Sequence, residues 1–217
     1  MISDSNEELI ITYKQVKNNV YNLIESLKRH ENTEEYFYTM RSLTTNEMSD
    51  MERASRLIFL NKTCFNGLYR VNKKGQFNVP FARRKNPKIC DEDVLLSASN
   101  ALKNTEIVYG DYLKVLKEHA KEGDYVFLDP PYDPVGRYTD FKRYTKKFFE
   151  KEDHIKLKNE LDRLIELGCQ VILTNSDSDF ILDLFDTYDS KVVNTKRMIS
   201  SDPKSRTGKD LIIIGTR

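Results

Sequence analysis

Tryptophan is absent from the 217 residues, and glycine is scarce at eight. No two of those glycines stand as Gly-x-Gly, so no loop allows backbone to approach a bound nucleotide as a glycine-rich turn does. Cysteine is limited to Cys64, Cys90 and Cys169, odd in number, far apart and without a nearby His or Cys. This argues against a disulfide framework and a zinc site, and points to a reducing setting. The chain does not open on a basic stretch followed by an apolar run, and no segment has the apolar length needed to cross a bilayer. The expectation is a cytoplasmic protein with no membrane partner. A surplus of one charge is also missing: 35 basic residues against 34 acidic give a formal net charge of +1, so any nucleic-acid surface must come from clustering.

What is present suits one sizeable core with a smaller subdomain inserted into it. Apolar residues from Leu9 to Leu27 recur at helical spacing, which predicts an amphipathic helix, or two, over residues 7–28. Further helices are predicted over 34–41 and 50–61. Between Phe65 and Pro87, Gly, Asn and Pro interrupt short apolar pairs, and residues 71–79 read as a hairpin turning at Lys73 to Gly75. The second half alternates strands and helices: strands at 107–109, 125–128 and 171–174, and helices from about 111, over 151–167 and over 179–185. Two closing strands at 191–197 and 211–214 are joined by a polar loop, Ser200 to Lys209. That rhythm is the βαβ signature of a mainly parallel sheet.

The strongest chemical signal is Asp129-Pro130-Pro131-Tyr132 directly after the apolar strand Tyr125 to Leu128. Open α/β sheets place ligands at such strand ends. The prolines fix the backbone, so that the Asp129 carboxylate and the Pro130 carbonyl could face one spot, with Tyr132 as a flat face above it. An aromatic amine suits that spot. Its lone pair is delocalised into the ring, and two acceptors binding its hydrogens favour the pyramidal nitrogen that develops during attack. A proline-stiffened strand exit with a capping Asp is the plainer alternative. The same quartet, with Asn first, also occurs in methyltransferases acting on protein glutamine or RNA, so it suggests amine methylation more firmly than DNA.

Residues 70–88 hold Arg70, Lys73, Lys74, Arg83, Arg84, Lys85 and Lys88 with no acidic residue among them. Such a run can be a solvated hairpin face, but Phe65, Tyr69, Phe77 and Phe81 interleave rings with the charges. Most of these cations would neutralise phosphates; reading sequence needs a side chain able to make two bonds to a guanine edge, for which Arg70 is the candidate. Phe65 and Leu68 are placed to fill the gap left by an extruded base. His30, His119 and His154 lie scattered on charged helices, and neither they nor Ser176 suggest a metal or a nucleophilic triad. Asn175 and Ser176 are expected to line the site or end a strand.

Phe65-Asn66-Gly67-Leu68-Tyr69-Arg70 followed by Gly75-Gln76-Phe77-Asn78-Val79-Pro80-Phe81 resembles the recognition segment of Dam-type DNA adenine methyltransferases. Ile2 to Asn6, the Gly110-Asp111-Tyr112 motif and the Asp129 to Tyr132 quartet are similar to further motifs of that family, in the same order. The resemblance implies an α/β fold with a Rossmann-like methyltransferase sheet, incomplete here, and an inserted helical and hairpin target-recognition subdomain. The catalytic core would comprise residues 1–10 and 97–217, and the recognition region residues 11–96. It implies methyl transfer from S-adenosylmethionine to the exocyclic amine of adenine in double-stranded DNA, at a GATC-like site and without a metal. Asp129, Pro130, Pro131 and Tyr132 would form the catalytic set. Asp4, Asp111 and Asp129 would face the cofactor, although taken singly either of the first two is more often a helix cap. Phe65, Asn66, Leu68, Arg70, Asn72, Lys73, Lys74, Arg83, Arg84, Lys85 and Tyr144 would contact DNA. The last lies in a Tyr- and Lys-rich loop, 138–149, that resembles the family's closing segment and could equally be a surface connection.

The chain departs from the family pattern in four places. A Lys-Trp-x-Gly-Gly-Lys segment and a Pro-Phe-x-Gly-x-Gly loop after the first strand are both absent, and Ala82 and Arg84 stand where the family carries Gly and often an aromatic. Met1 falls where the family's second strand begins. The expectation is therefore a truncated gene or a split enzyme, completed by a separate N-terminal fragment, with two unpaired edges inside its sheet. The alternatives are a catalytically silent DNA-binding remnant and a methyltransferase acting on RNA or protein.

Overall fold

A computed structural model describes residues 1–134, 149–196 and 207–216, so Tyr144, most of the 138–149 loop and most of the 200–209 loop lie outside the described residues. The chain is mixed α/β and divides into two compact units, one holding described residues 1–115 and the other those from 116 onward.

In the first unit β1 (Ile2–Asp4) pairs in parallel with β2 (Ile107–Tyr109), with Ile2 opposite Ile107 and Asp4 opposite Tyr109. Between them run α1 (Glu7–Asn18), α2 (Val20–Leu27), α3 (Glu34–Ser42), α4 (Asp50–Thr63) and α5 (Glu92–Leu102). Side-chain caps start four of the five: Asn6, Thr33, Ser49 and Asp91 each accept a backbone N–H from the first turn, and Ser49 forms a reciprocal capping box with Glu52. The stretch over residues 7–28 breaks at Asn19 into two helices. Helix α5 was not expected from the sequence. Ser97, Ser99 and Asn100 dilute its apolar face, and none of its residues is fully buried; the legible sign was Asp91 ahead of Glu92 and Asp93.

Leu23, Leu27 and Ala54 form one cluster of this unit, against which Leu95, Ala98 and Leu102 of α5 pack. A second cluster joins Phe37, Phe59, Leu60 and Cys64 to Phe77 and Val79 of the hairpin. The hairpin forms as expected, with Val71 bridged to Phe77 and the turn fastened by Asn72, whose Oδ1 accepts from Lys74 N at 2.9 Å and Gln76 N at 3.0 Å.

In the second unit β3 (Tyr125–Leu128), β4 (Gln170–Ser176), β5 (Asp189–Lys196) and β6 (Thr207–Gly215) form a sheet of order β3-β4-β6-β5. The β3/β4 pair is parallel, and β6 runs antiparallel to both neighbours. Thr207 to Lys209, expected in the polar loop, belong to β6. Ladder hydrogen bonds need only backbone, so polar side chains do not stop the strand. Helix α6 (Tyr112–His119) precedes β3, and α7 (Lys151–Leu167) and α8 (Asp179–Leu184) flank β4 in sequence. Leu157, Leu161 and Leu164 of α7 are buried, as are Leu128, Val171, Leu173, Leu211 and Ile213 of the sheet. Gly168, at φ 95°, ends α7 in the left-handed conformation that a β-carbon disfavours. Among the described residues no helix is long and apolar enough to cross a membrane.

Candidate active site and DNA-facing segment

Strand β3 delivers Asp129 to the carboxyl edge of the sheet, where its side chain is exposed. The register that sets Leu128 beside Leu173 brings Thr174 next to Asp129, and Thr174 Oγ1 donates to Asp129 Oδ1 at 2.5 Å. The half-buried Tyr132 phenol lies by the same cluster, near enough to Thr174 and Asp129 for both to affect its ionisation. Burial pushes the Tyr132 phenol up; Thr174 opposes this, while the charges of Asp129 and Asp210 add to it, so the phenol is neutral at physiological pH. Thr174 was missed by the sequence reading, since nothing local marks it.

The backbone just beyond the quartet is fastened to the end of β4. Asp133 N donates to Asn175 Oδ1 at 2.9 Å, Ser176 Oγ donates to Asp133 O at 2.7 Å, and Ser178 Oγ donates to Asp133 Oδ2 at 2.7 Å. Asn175 and Ser176 therefore end the strand and steady the chain that leaves the quartet.

In the first unit, Asp4 closes β1. Its Oδ1 accepts from Asn6 N at 2.7 Å, and its carbonyl accepts from Gly110 N at 3.1 Å, tying it to the Gly110-Asp111-Tyr112 motif. Asp111 is exposed and accepts from Leu113 N at 3.0 Å, as a residue opening a helix does. Two carboxylates thus stand at the ends of adjacent parallel strands. They form an acceptor-only pair, which fits the hydroxyl and amino donors of an adenosine moiety. Burial raises the Tyr69 phenol above its ordinary value, and the nearby Asn6 side chain partly offsets that.

The segment over 65–88 is more ordered than a solvated face. Phe77 is buried, and Leu68, Tyr69 and Phe81 pack against the same core cluster, so these rings and Leu68 serve packing first. Phe65 is different, 47% exposed beside Asn66, which adopts φ 54°. Arg70 is held by Asn78, donating from Nε to Oδ1 at 2.7 Å and from Nη2 to the carbonyl at 3.1 Å. Arg83 pairs with Glu34 at 2.8 Å, and Lys88 with Asp91 at 2.8 Å. Among the described residues Lys73, Lys74, Arg84 and Lys85 are exposed and make no ion pair, and Asn72 is committed to the turn. The cationic surface is therefore narrower than the composition of the segment implies.

The model of the D12 class N6 adenine-specific DNA methyltransferases matches residues 1–199. The chain belongs to this family. A Type II methyltransferase, M.MjaIII, of Methanocaldococcus jannaschii is 41% identical over 92% of this chain and 73% of its own length. A second, M1.LlaDCHI of Lactococcus lactis subsp. cremoris, is 40% identical over 100% of this chain and 78% of its own length. The DNA adenine methylase of Haemophilus influenzae is 30% identical over 99% of this chain and 77% of its own length. As a D12 class protein the chain is an adenine-specific DNA methyltransferase in kind, and the strand-end quartet Asp129 to Tyr132 is its best-formed chemical feature.

Proposed function

We propose that the chain transfers a methyl group from S-adenosylmethionine to the exocyclic amine of adenine in double-stranded DNA, at a GATC-like site. The observation that carries this is the exposed Asp129 carboxylate at the exit of β3, oriented by Thr174 and followed by two donor-free prolines and a half-buried tyrosine. The parallel β3/β4 pair with antiparallel β6 beside it supports a Rossmann-like sheet. Residues 1–10 and 97–217 then form the catalytic core, and 11–96 the recognition region.

Asp129 and the Pro130 carbonyl accept the two amine hydrogens, drawing the nitrogen lone pair out of the ring. A carboxylate has lone pairs to spare, so the Thr174 bond fixes its direction and leaves acceptor capacity for the amine. Tyr132 stacks on the extruded base. When bound, S-adenosylmethionine supplies an electrophilic methyl group, and Asp4 and Asp111 are the residues that hold its ribose and adenine donors. Asp129 need not remove a proton first: its carboxylate would accept the proton that the nitrogen sheds as the N–C bond forms and the donor's S–C bond breaks. Lys73, Lys74, Arg84 and Lys85 neutralise phosphates, Arg70 reads a base edge, and Phe65 props the gap, with Asn66, Leu68, Asn72, Arg83 and Tyr144 completing the contact set.

Radiolabelled methyl transfer to duplexes with and without GATC tests the reading, using this chain alone and with a supplied N-terminal fragment that carries the glycine loop. Asp129→Ala is expected to lower transfer by at least about a hundredfold, the scale of losing a transition-state acceptor, with DNA affinity little changed. Equal transfer by wild type and Asp129→Ala overturns the mechanism. Salt-sensitive duplex binding with no transfer in either format overturns the reading and selects a DNA-binding protein without transferase activity instead.

A further inference from the structure

His154, on the first turns of α7 among charged neighbours, is 1% exposed. Its ring meets those of Phe149 and Phe180 edge-on, with centroids 4.8 and 6.0 Å away. Nδ1 lies 3.5 Å from Asn175 Nδ2, and Nε2 is buried without a hydrogen-bond partner. Asn175 itself is not free to turn, because its Oδ1 accepts from Asp133 N and Ser176 N, both at 2.9 Å. Its NH2 group must therefore face the ring. An amide NH2 only donates, so Nδ1 has to be the accepting nitrogen and the ring proton sits on Nε2. A proton on Nδ1 would oppose two donors across that contact and release Asn175.

We propose that His154 is a positioning residue whose accepting Nδ1 locks Asn175, and through it the Asp133 peptide, so that the Asp129 to Tyr132 quartet keeps the path that presents its carboxylate. The proposal rests on reading Asp129 as the acceptor of the adenine amine. Three links carry it: ring to amide, amide to the first peptide N–H beyond the quartet, and that peptide to the strand exit. The charged groups around the ring are Asp133 from the quartet exit and Asp153 from α7, which favour protonation, and Lys151, whose ammonium lies 4.8 Å from the centroid of the adjoining Phe180 ring. Burial is the largest influence and holds the imidazole below its ordinary pKa, which keeps the lock closed at neutral pH.

Two measurements on the full chain test this. Long-range 15N imidazole NMR should show the Nε2–H tautomer at neutral pH, with the Asp133 amide signal shifting as the ring titrates. In methyl-transfer assays, His154→Phe, which keeps a ring but no acceptor, should lower kcat about tenfold with KM for DNA unchanged, as a small displacement of a reacting group does. His154→Asn, whose Oδ1 can stand where Nδ1 stood, should restore kcat to within about twofold and abolish the fall in kcat that the wild type shows as pH drops through the ring's ionisation. The Nδ1–H tautomer, an Asp133 amide blind to the titration, or an acid limb unchanged in His154→Asn each overturns the proposal. Wild-type protein that transfers no methyl group, alone or with the N-terminal fragment, overturns the functional reading instead, and the NMR spectrum still decides the lock.

Discussion

His30 is caged by its partners. Nδ1 meets the Tyr36 hydroxyl and Nε2 the Ser55 hydroxyl, both at 2.9 Å, and the ring stacks on Phe59 with centroids 4.4 Å apart. Burial lowers its pKa, the Ser55 bond opposing this, and burial lowers that of His154 as well. The unfolded chain, with histidines near about 6.5, then binds more protons than the folded one in mildly acid solution. The stabilising share of each histidine is whole above that value and shrinks as pH falls from it toward the folded pKa. The urea midpoint should therefore be lower at pH 5.5 than at pH 7.5, both values chosen to bracket about 6.5, and His30→Gln should reduce that difference. An unchanged difference would rule out His30 as a source of acid sensitivity. At this scale the sequence placed Asp129 to Tyr132 at a strand end, because an apolar run stopped by a carboxylate and two prolines is a local signal. It did not disclose Thr174, which reaches Asp129 across 45 residues of chain only through the β3/β4 register. The burial of His154 is masked by its charged neighbours, although it falls on the stripe with the buried Leu157, Leu161 and Leu164.

Among the elements, α7 and β6 meet with almost no room. A β-carbon on Gly215 would lie 2.8 Å from Ile165 Cδ1 and 3.3 Å from Leu161 Cδ2. Gly215→Ala should destabilise the fold by about 1–3 kcal/mol through overpacking, read from urea denaturation. Adding Ile165→Val removes the offending methyl and should recover part of the loss; no recovery would place the strain elsewhere. Most element boundaries were legible because caps and periodicity are short-range signals, as at Ser49 to Glu52 of α4. Helix α5 escaped because its face is mixed and only partly covered, and the start of β6 escaped because its first residues are polar.

For the whole molecule, a net charge of +1 says little about where DNA would sit. The exposed, unpaired Lys73 and Lys74 at the hairpin turn should each release counterions on binding, so Lys73→Gln with Lys74→Gln should flatten the log–log salt dependence by roughly 0.9 per residue. Arg83→Gln should change it less, since Glu34 already balances that guanidinium at 2.8 Å. Equal slopes in all three proteins would move the DNA-facing surface away from the hairpin. The sequence by itself determined most of the helices and strands, the strand end at which Asp129 to Tyr132 stand and the stretch that concentrates basic residues, because propensity, proline constraint and charge are properties of neighbouring residues. Only the tertiary structure decided that Thr174 orients Asp129, that Asn175 pins Asp133, that Phe77 and its ring neighbours serve the core, and that Arg83 is already paired. Those outcomes depend on strand register and on which faces are buried together, and both are settled by packing between residues far apart in the chain.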